Sequence, residues 1–251
     1  MPNPLITLSL APLLILQGRH VRRVTPRLPE PDGARAGQAG SGQPLRLLIV
    51  GDSAAAGVGV STQQDALSGQ LIALLSQSYQ VDWQLHATTG HTTAQVLATV
   101  EQLPKQNFDL IVTSTGVNDV TAGLSAKRWR AQKQQLIQTL KNQFQPRHII
   151  LTSLPPMHLF PALPQPLRWY LGRHAKQLNQ VLAGLVAAQP PAPAYCQQLT
   201  LSAPMQPEYM ASDGFHPAAA AYKLWAQQVL DCVITAEARL APSHAGSVVS
   251  A

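Results

Sequence analysis

The sequence predicts an α/β domain of three layers, a parallel sheet covered on both faces by helices. Three observations carry this. Short, largely apolar runs such as Leu45 to Val50 and His148 to Leu154 read as strands buried on both faces. Longer stretches between them have apolar residues three and four apart, the helical spacing. The two kinds alternate along the chain, which implies crossover connections and parallel strands. With 251 residues and 45% hydrophobic content, one domain with a sizeable core accounts for the chain, flanked by terminal extensions.

The first element is Leu5 to Leu16, LITLSLAPLLIL, followed by Arg19, Arg22, Arg23 and Arg27. As a helix this run reaches roughly 18 Å against a hydrocarbon core of about 30 Å, which is short for a span. The basic residues follow the run and no small-x-small cleavage site appears, unlike a secretory signal. Residues 1–24 are therefore expected to be an apolar segment with a basic flank that associates peripherally with a membrane, favouring its cytoplasmic face. The competing reading is an apolar arm packed on the domain, and periplasmic or soluble cytoplasmic placement are the alternatives. Residues 25–44 are rich in Pro, Gly and Ala without apolar periodicity and read as a flexible linker. The domain proper is expected over 45–240 and a disordered tail over 241–251.

Within the domain, the strand at Leu45 to Val50 runs into Gly51-Asp52-Ser53. A helix follows at Ala66 to Ser78, then a strand at Val81 to Ala87, a helix at Thr92 to Leu103 and a strand at Leu110 to Thr115. A long helix from Ser125 to Phe144 precedes the strand at His148 to Leu154. A helix from Leu167 to Ala188, a weak strand at Tyr195 to Leu199, and a last helix opened by Pro217 and running to Ala238 complete the pattern. Open sheets of this type bind ligands at the carboxyl ends of their strands.

Three loops on that edge carry polar residues. Gly51-Asp52-Ser53 puts a hydroxyl, and the backbone N–H of the same serine, at a strand-to-helix turn. Gly116-Val117-Asn118-Asp119 offers a side-chain amide after the third strand. Asp213-Gly214-Phe215-His216-Pro217 sets a carboxylate three residues before an imidazole, close enough for Asp213 to fix the tautomer of His216 while Nε2 faces Ser53. Alone, each is an ordinary turn sequence.

Together, GDSAAAGVGV, Gly90 in TTGHTT, GVND and DGFHP resemble blocks I, II, III and V of the GDSL/SGNH hydrolases, in order over roughly Leu45 to Leu230. The resemblance is to their lipase/esterase, lysophospholipase-like branch. It implies a flavodoxin-like parallel sheet and a triad of Ser53, His216 and Asp213. It also implies an oxyanion hole formed by the N–H groups of Ser53 and Gly90 with the Asn118 amide. Ala54 stands where the first block usually has Leu, a packing position that bears on substrate choice. The implied reaction is hydrolysis of a carboxylic ester through an acyl-enzyme. Acyl transfer to a second alcohol or amine uses the same intermediate, and deacetylation of a carbohydrate is a further alternative.

A net charge of +6 admits an anionic partner. The basic residues cluster only after the N-terminal run and lack interleaved aromatics, so a membrane surface is expected and nucleic acid is not. GDSAAAGVGV lacks both GK[ST] and GxGxxG, which places a nucleotide-binding module well behind. The remaining histidines are scattered without HExxH or similar pairing, so no metal and no organic cofactor is expected. Cys196 and Cys232 lack metal-ligand spacing; a disulfide is open, with buried free thiols the simpler state.

Substrate contacts are sought in two places. His91 follows Gly90 and can line the site. The connection from Ser153 to Gly172, SLPPMHLFPALPQPLRWYLG, offers Met157, Phe160 and Trp169 as an acyl-chain wall, unless these side chains only cover the next helix. Lipid-like or medium-chain acyl esters are accordingly expected.

Overall fold

A computed structural model describes residues 4–189, 195–201 and 206–240. In chain order the elements are α1 (Pro4–Val24), β1 (Ala36–Ala39), β2 (Gln43–Gly51), α2 (Ser53–Ala56), α3 (Leu67–Leu75), β3 (Tyr79–Ala87) and α4 (Thr93–Gln102). They continue with β4 (Leu110–Ser114), α5 (Val117–Thr121), α6 (Ala126–Phe144), β5 (His148–Thr152), α7 (Leu167–Ala187), β6 (Tyr195–Leu199) and α8 (Ala219–Leu240). The sheet order is β1-β3-β2-β4-β5-β6, parallel except for β1. Without β1 this is the flavodoxin-like order, in which the first and third strands of the parallel set lie side by side at the switch point.

Alternation along β2 builds the layers. Leu48 and Val50 face a core shared with Val96 and Val100 of α4, Leu136 and Leu140 of α6, and Leu178 of α7. Leu47 and Ile49 face the other side, against Leu67 and Leu71 of α3 and Trp225 and Val229 of α8. Both sets are fully buried, as a central strand covered on two faces requires. The predicted helix starts rest on real caps. Thr92 and Gln95 form a capping box on α4, and the Ser125 hydroxyl accepts from Arg128 N–H on α6.

Two expectations change, for the linker and for the start of the last helix. Residues 25–44 are not a flexible linker: Ala36–Ala39 pairs antiparallel with β3, and Gln43 already belongs to β2. A four-residue edge strand reading Ala-Gly-Gln-Ala has no alternation to show, so composition concealed it. The last helix starts at Ala219 because Pro217 is held in a β-bridge with Met210. The apolar N-terminal run belongs to a longer helix that packs one face against α7, with Leu14 buried in the core, and no described helix is long and apolar enough to cross a membrane. Cys196 and Cys232 are both free thiols. The tail 241–251 lies outside the described residues.

Candidate active site

Ser53 opens α2 directly after β2, at the switch point between β2 and β4. The turn is tight because Asp52 N–H donates to the Ser114 carbonyl at 3.0 Å. A Cβ on Gly51 would lie 2.3 Å from that same oxygen, so only glycine fits there. Asp52 caps α2, accepting from Ala54 N–H at 3.2 Å. Ser53 N–H belongs to the first helical turn, where N–H groups have no partner within the helix.

His216 reaches Ser53 from the segment ahead of α8, with Nε2 2.9 Å from Oγ. Its Nδ1 lies 2.5 Å from Asp213 Oδ2. A carboxylate oxygen only accepts, so Nδ1 carries the proton and Nε2 is left as the acceptor facing the serine hydroxyl. The other Asp213 oxygen accepts from Phe215 N–H at 2.9 Å and His216 N–H at 3.0 Å. Burial works to raise the Asp213 carboxyl, but the His216 side chain and the two backbone donors outweigh it and hold the group below the ordinary carboxylate range. Tyr222 steadies this arm: its buried hydroxyl donates to the Val58 carbonyl at 2.7 Å, pinning α8 to the loop beyond Ser53.

Gly90 sits in the loop after β3 with φ +84°, a left-handed conformation, and nothing lies within 4 Å of where a Cβ would stand. Asn118, in the first turn of α5, donates its Nδ2 to the His91 carbonyl at 2.9 Å, which binds the Gly90 loop to the Asn118 loop. The same two loops are joined beneath, where Asp119 Oδ2 accepts from Thr93 N–H at 3.0 Å and Oγ1 at 2.8 Å. The supposed linker braces this edge from outside. Glu30 accepts from Thr89 N–H at 2.8 Å and Oγ1 at 2.7 Å, and pairs with Arg35, which also donates to the Ala87 carbonyl.

An apolar cavity opens beside Ser53 and His216, walled by Phe160, Met210, Phe215, Leu224 and Trp225. Of the contacts sought in the sequence, Phe160 lines it. Met157 is buried in the core instead, Trp169 stands on α7 under the Arg173 guanidinium, and His91 contributes its backbone carbonyl to Asn118. The α8 wall was missed, although Ala221, Leu224, Trp225 and Gln228 lie at helical spacing just beyond His216 and all face the cavity.

A second group was missed entirely. Lys133 of α6 is fully buried, its Nζ 2.6 Å from Thr115 Oγ1, behind Asp52 and Asp119. Burial pushes Lys133 down to about 8, opposed by the charges of Asp119 and Asp52. Burial pushes Asp52 up to about 7, opposed by Ala54 N–H and by the charges of His216 and Lys133. Asp119 is raised for the same reason. The signal existed: Lys133 occupies the apolar stripe of Trp129, Leu136, Ile137 and Leu140, where a lysine cannot reach water.

The sequence of residues 49–224 matches the family model of the GDSL-like lipase/acylhydrolases. The chain belongs to that family. Membership sets its reaction class as carboxylic ester hydrolysis. Solved structures share the fold at low identity. A family 3 carbohydrate esterase from Clostridium thermocellum superposes with TM-score 0.62 at 18% identity, covering 78% of this chain and 99% of that one. A psychrotrophic esterase from Pseudoalteromonas sp. gives 0.58 at 18% identity, covering 76% and 97%. A lipase/acylhydrolase from Enterococcus faecalis gives 0.56 at 18% identity, covering 80% and 100%. No curated protein sequence gives a significant match.

Proposed function

We propose that this GDSL-like hydrolase cleaves medium-chain or lipid-like acyl esters by covalent catalysis at Ser53. The contact that carries the reading is the 2.9 Å approach of His216 Nε2 to Ser53 Oγ, with Asp213 behind the ring. As Ser53 Oγ bonds to the carbonyl carbon, its proton passes to His216 Nε2. The resulting imidazolium is stabilised by Asp213, and the oxyanion is held by Ser53 N–H, Gly90 N–H and the Asn118 amide. Collapse breaks the bond to the leaving oxygen, which takes the proton from His216. Water then gives a proton to His216 and attacks the acyl-enzyme, and the acid leaves with Ser53 Oγ reprotonated.

The acyl preference follows from the walls of the cavity. Phe160, Met210, Leu224 and Trp225 offer a hydrocarbon chain burial worth about 0.8 kcal/mol per methylene, whereas a sugar set against these four side chains would lose hydration of its hydroxyls without gaining hydrogen bonds from them. Hydrolysis of p-nitrophenyl esters across acyl lengths tests this. Turnover is expected to peak at medium length and to vanish in Ser53→Ala. Leu224→Trp should cut kcat/KM for the longer esters by roughly tenfold or more while sparing acetate. A wild-type optimum at acetate unaffected by Leu224→Trp would assign the enzyme to small acyl groups instead. Alcohol release without matching acid, when an acceptor alcohol is present, would make it an acyltransferase.

A further inference from the structure

Helix α1 has two unlike faces. Leu10, Leu14, Gln17 and Val21 fall within a sector of about 60° on the helical wheel. Leu14 is 9% exposed, and Leu10 and Val21 pack against the same core. Gln17 Nε2 donates to the Gln165 carbonyl at 2.6 Å, and Gln17 Oε1 accepts from Leu167 N–H at 3.1 Å, satisfying a first-turn donor of α7. This face fixes the helix to the domain.

The opposite sector, about 120° wide, holds Leu8, Ile15 and Leu16 and then Arg19, Arg22 and Arg23. Leu8, Ile15 and Leu16 are 74%, 55% and 63% exposed, and the three arginines are exposed as well. A single exposed leucine needs no explanation. Three on one face, continued along that face by three cations and by no acidic residue anywhere in the helix, form a surface with a direction: apolar first, basic last. Among the described residues, none covers it.

We propose that this outer face binds an anionic phospholipid bilayer. The helix lies in the plane of the interface. Leu8, Ile15 and Leu16 enter the acyl boundary while Arg19, Arg22 and Arg23 meet the headgroup phosphates. The helix is too short in apolar length to cross the bilayer, and its docked face is already occupied by protein. Through Gln17 it is tied to the end of the connection that brings Phe160 to the cavity, so a docked enzyme holds its acyl-binding wall on the element next to the lipid. This inference stands on α1 alone and is independent of which ester is cleaved.

The full chain is to be sedimented with phosphatidylcholine vesicles and with vesicles that also contain phosphatidylglycerol. The triple variants Leu8→Ser/Ile15→Ser/Leu16→Ser and Arg19→Gln/Arg22→Gln/Arg23→Gln are run beside it. All six side chains are exposed, so unchanged far-UV circular dichroism and thermal melting verify that both variants are folded. The wild type is expected to partition onto the anionic vesicles and less so as salt is raised. The arginine variant should bind roughly a hundredfold more weakly, and the leucine variant should lose the binding that survives salt. Absence of wild-type sedimentation with anionic vesicles overturns the proposal, as does equal binding by both variants. So does a dimer seen by light scattering that the leucine variant abolishes without any vesicle binding, since that assigns the face to a second copy of the chain.

Discussion

Two aspartates stand on either side of Ser53, and they behave in opposite ways. Asp213 and Asp52 are both buried. Asp213 accepts three hydrogen bonds, including one from His216, and is held below the ordinary range. Among the described residues Asp52 accepts one, at 3.2 Å, and its Oδ2 has no hydrogen-bond partner; the group rises to about 7. Burial raises both, more strongly at the more deeply enclosed Asp52, and the donors that oppose it are more numerous and shorter at Asp213, so depth and donors together decide which carboxylate stays charged. In the proposed mechanism the fully bonded one holds the imidazolium beside Ser53. The other shapes the turn and leans on the buried Lys133.

The same substitution at the two positions separates them most widely. Asp213→Asn is expected to cost roughly 10⁴-fold in kcat, as comparable triads lose when the histidine tautomer is no longer set. Asp52→Asn keeps the cap on α2 and should leave kcat within about an order of magnitude. Comparable losses in both folded variants would erase the distinction. Asn118→Ala comes next, with a fall of about two to three orders of magnitude in kcat and a modest change in KM. Near-normal turnover would remove that amide from the oxyanion hole.

Lys133→Met tests the interior cluster through stability. Removing the cation leaves Asp52 and Asp119 as buried acids without their compensating charge, at an expected cost of about 3–5 kcal/mol in denaturant unfolding. Adding Asp52→Asn to that variant should recover part of the loss; no recovery would mean that Lys133 acts through packing alone.

The last difference is in pH dependence. The folded Asp52 carboxyl binds its proton more tightly than the unfolded one, about 7 against 3.8. Its stabilising contribution is therefore complete below the unfolded value and is lost as pH rises through the folded one. Asp213 has the opposite sign, stabilising above its ordinary value and losing that contribution as pH falls through its lowered one. Unfolding of Asp52→Asn followed across pH 4 to 7 should show a flatter decline than the wild type.

The fold was legible because hydrophobic periodicity is a local property. The runs at Leu45, Leu110 and His148 announce central strands by being apolar on both faces. The site motifs were legible for a related reason: Gly51-Asp52-Ser53, Gly116 to Asp119 and Asp213 to His216 each lie within a few residues at a strand end or ahead of a helix. Other features depended on distant partners. The strand Ala36–Ala39 exists through pairing with β3, and Glu30 matters through Thr89, 59 positions away. The wall at Leu224 and Trp225 becomes a wall only when α8 folds across the carboxyl edge of the sheet. Lys133 is the instructive case, since its place on the apolar stripe of α6 was visible while its acidic neighbours came from two separate segments, the turn before α2 and helix α5.

The most direct test of the central claim, that His216 and Asp213 activate Ser53, is covalent labelling with a fluorophosphonate followed by mass spectrometry of the intact and digested protein. The account predicts a single adduct, on the peptide containing Ser53, formed far more slowly in Asp213→Asn and not at all in Ser53→Ala. An adduct on another residue, or labelling of Ser53 at the same rate in folded Asp213→Asn, would contradict it.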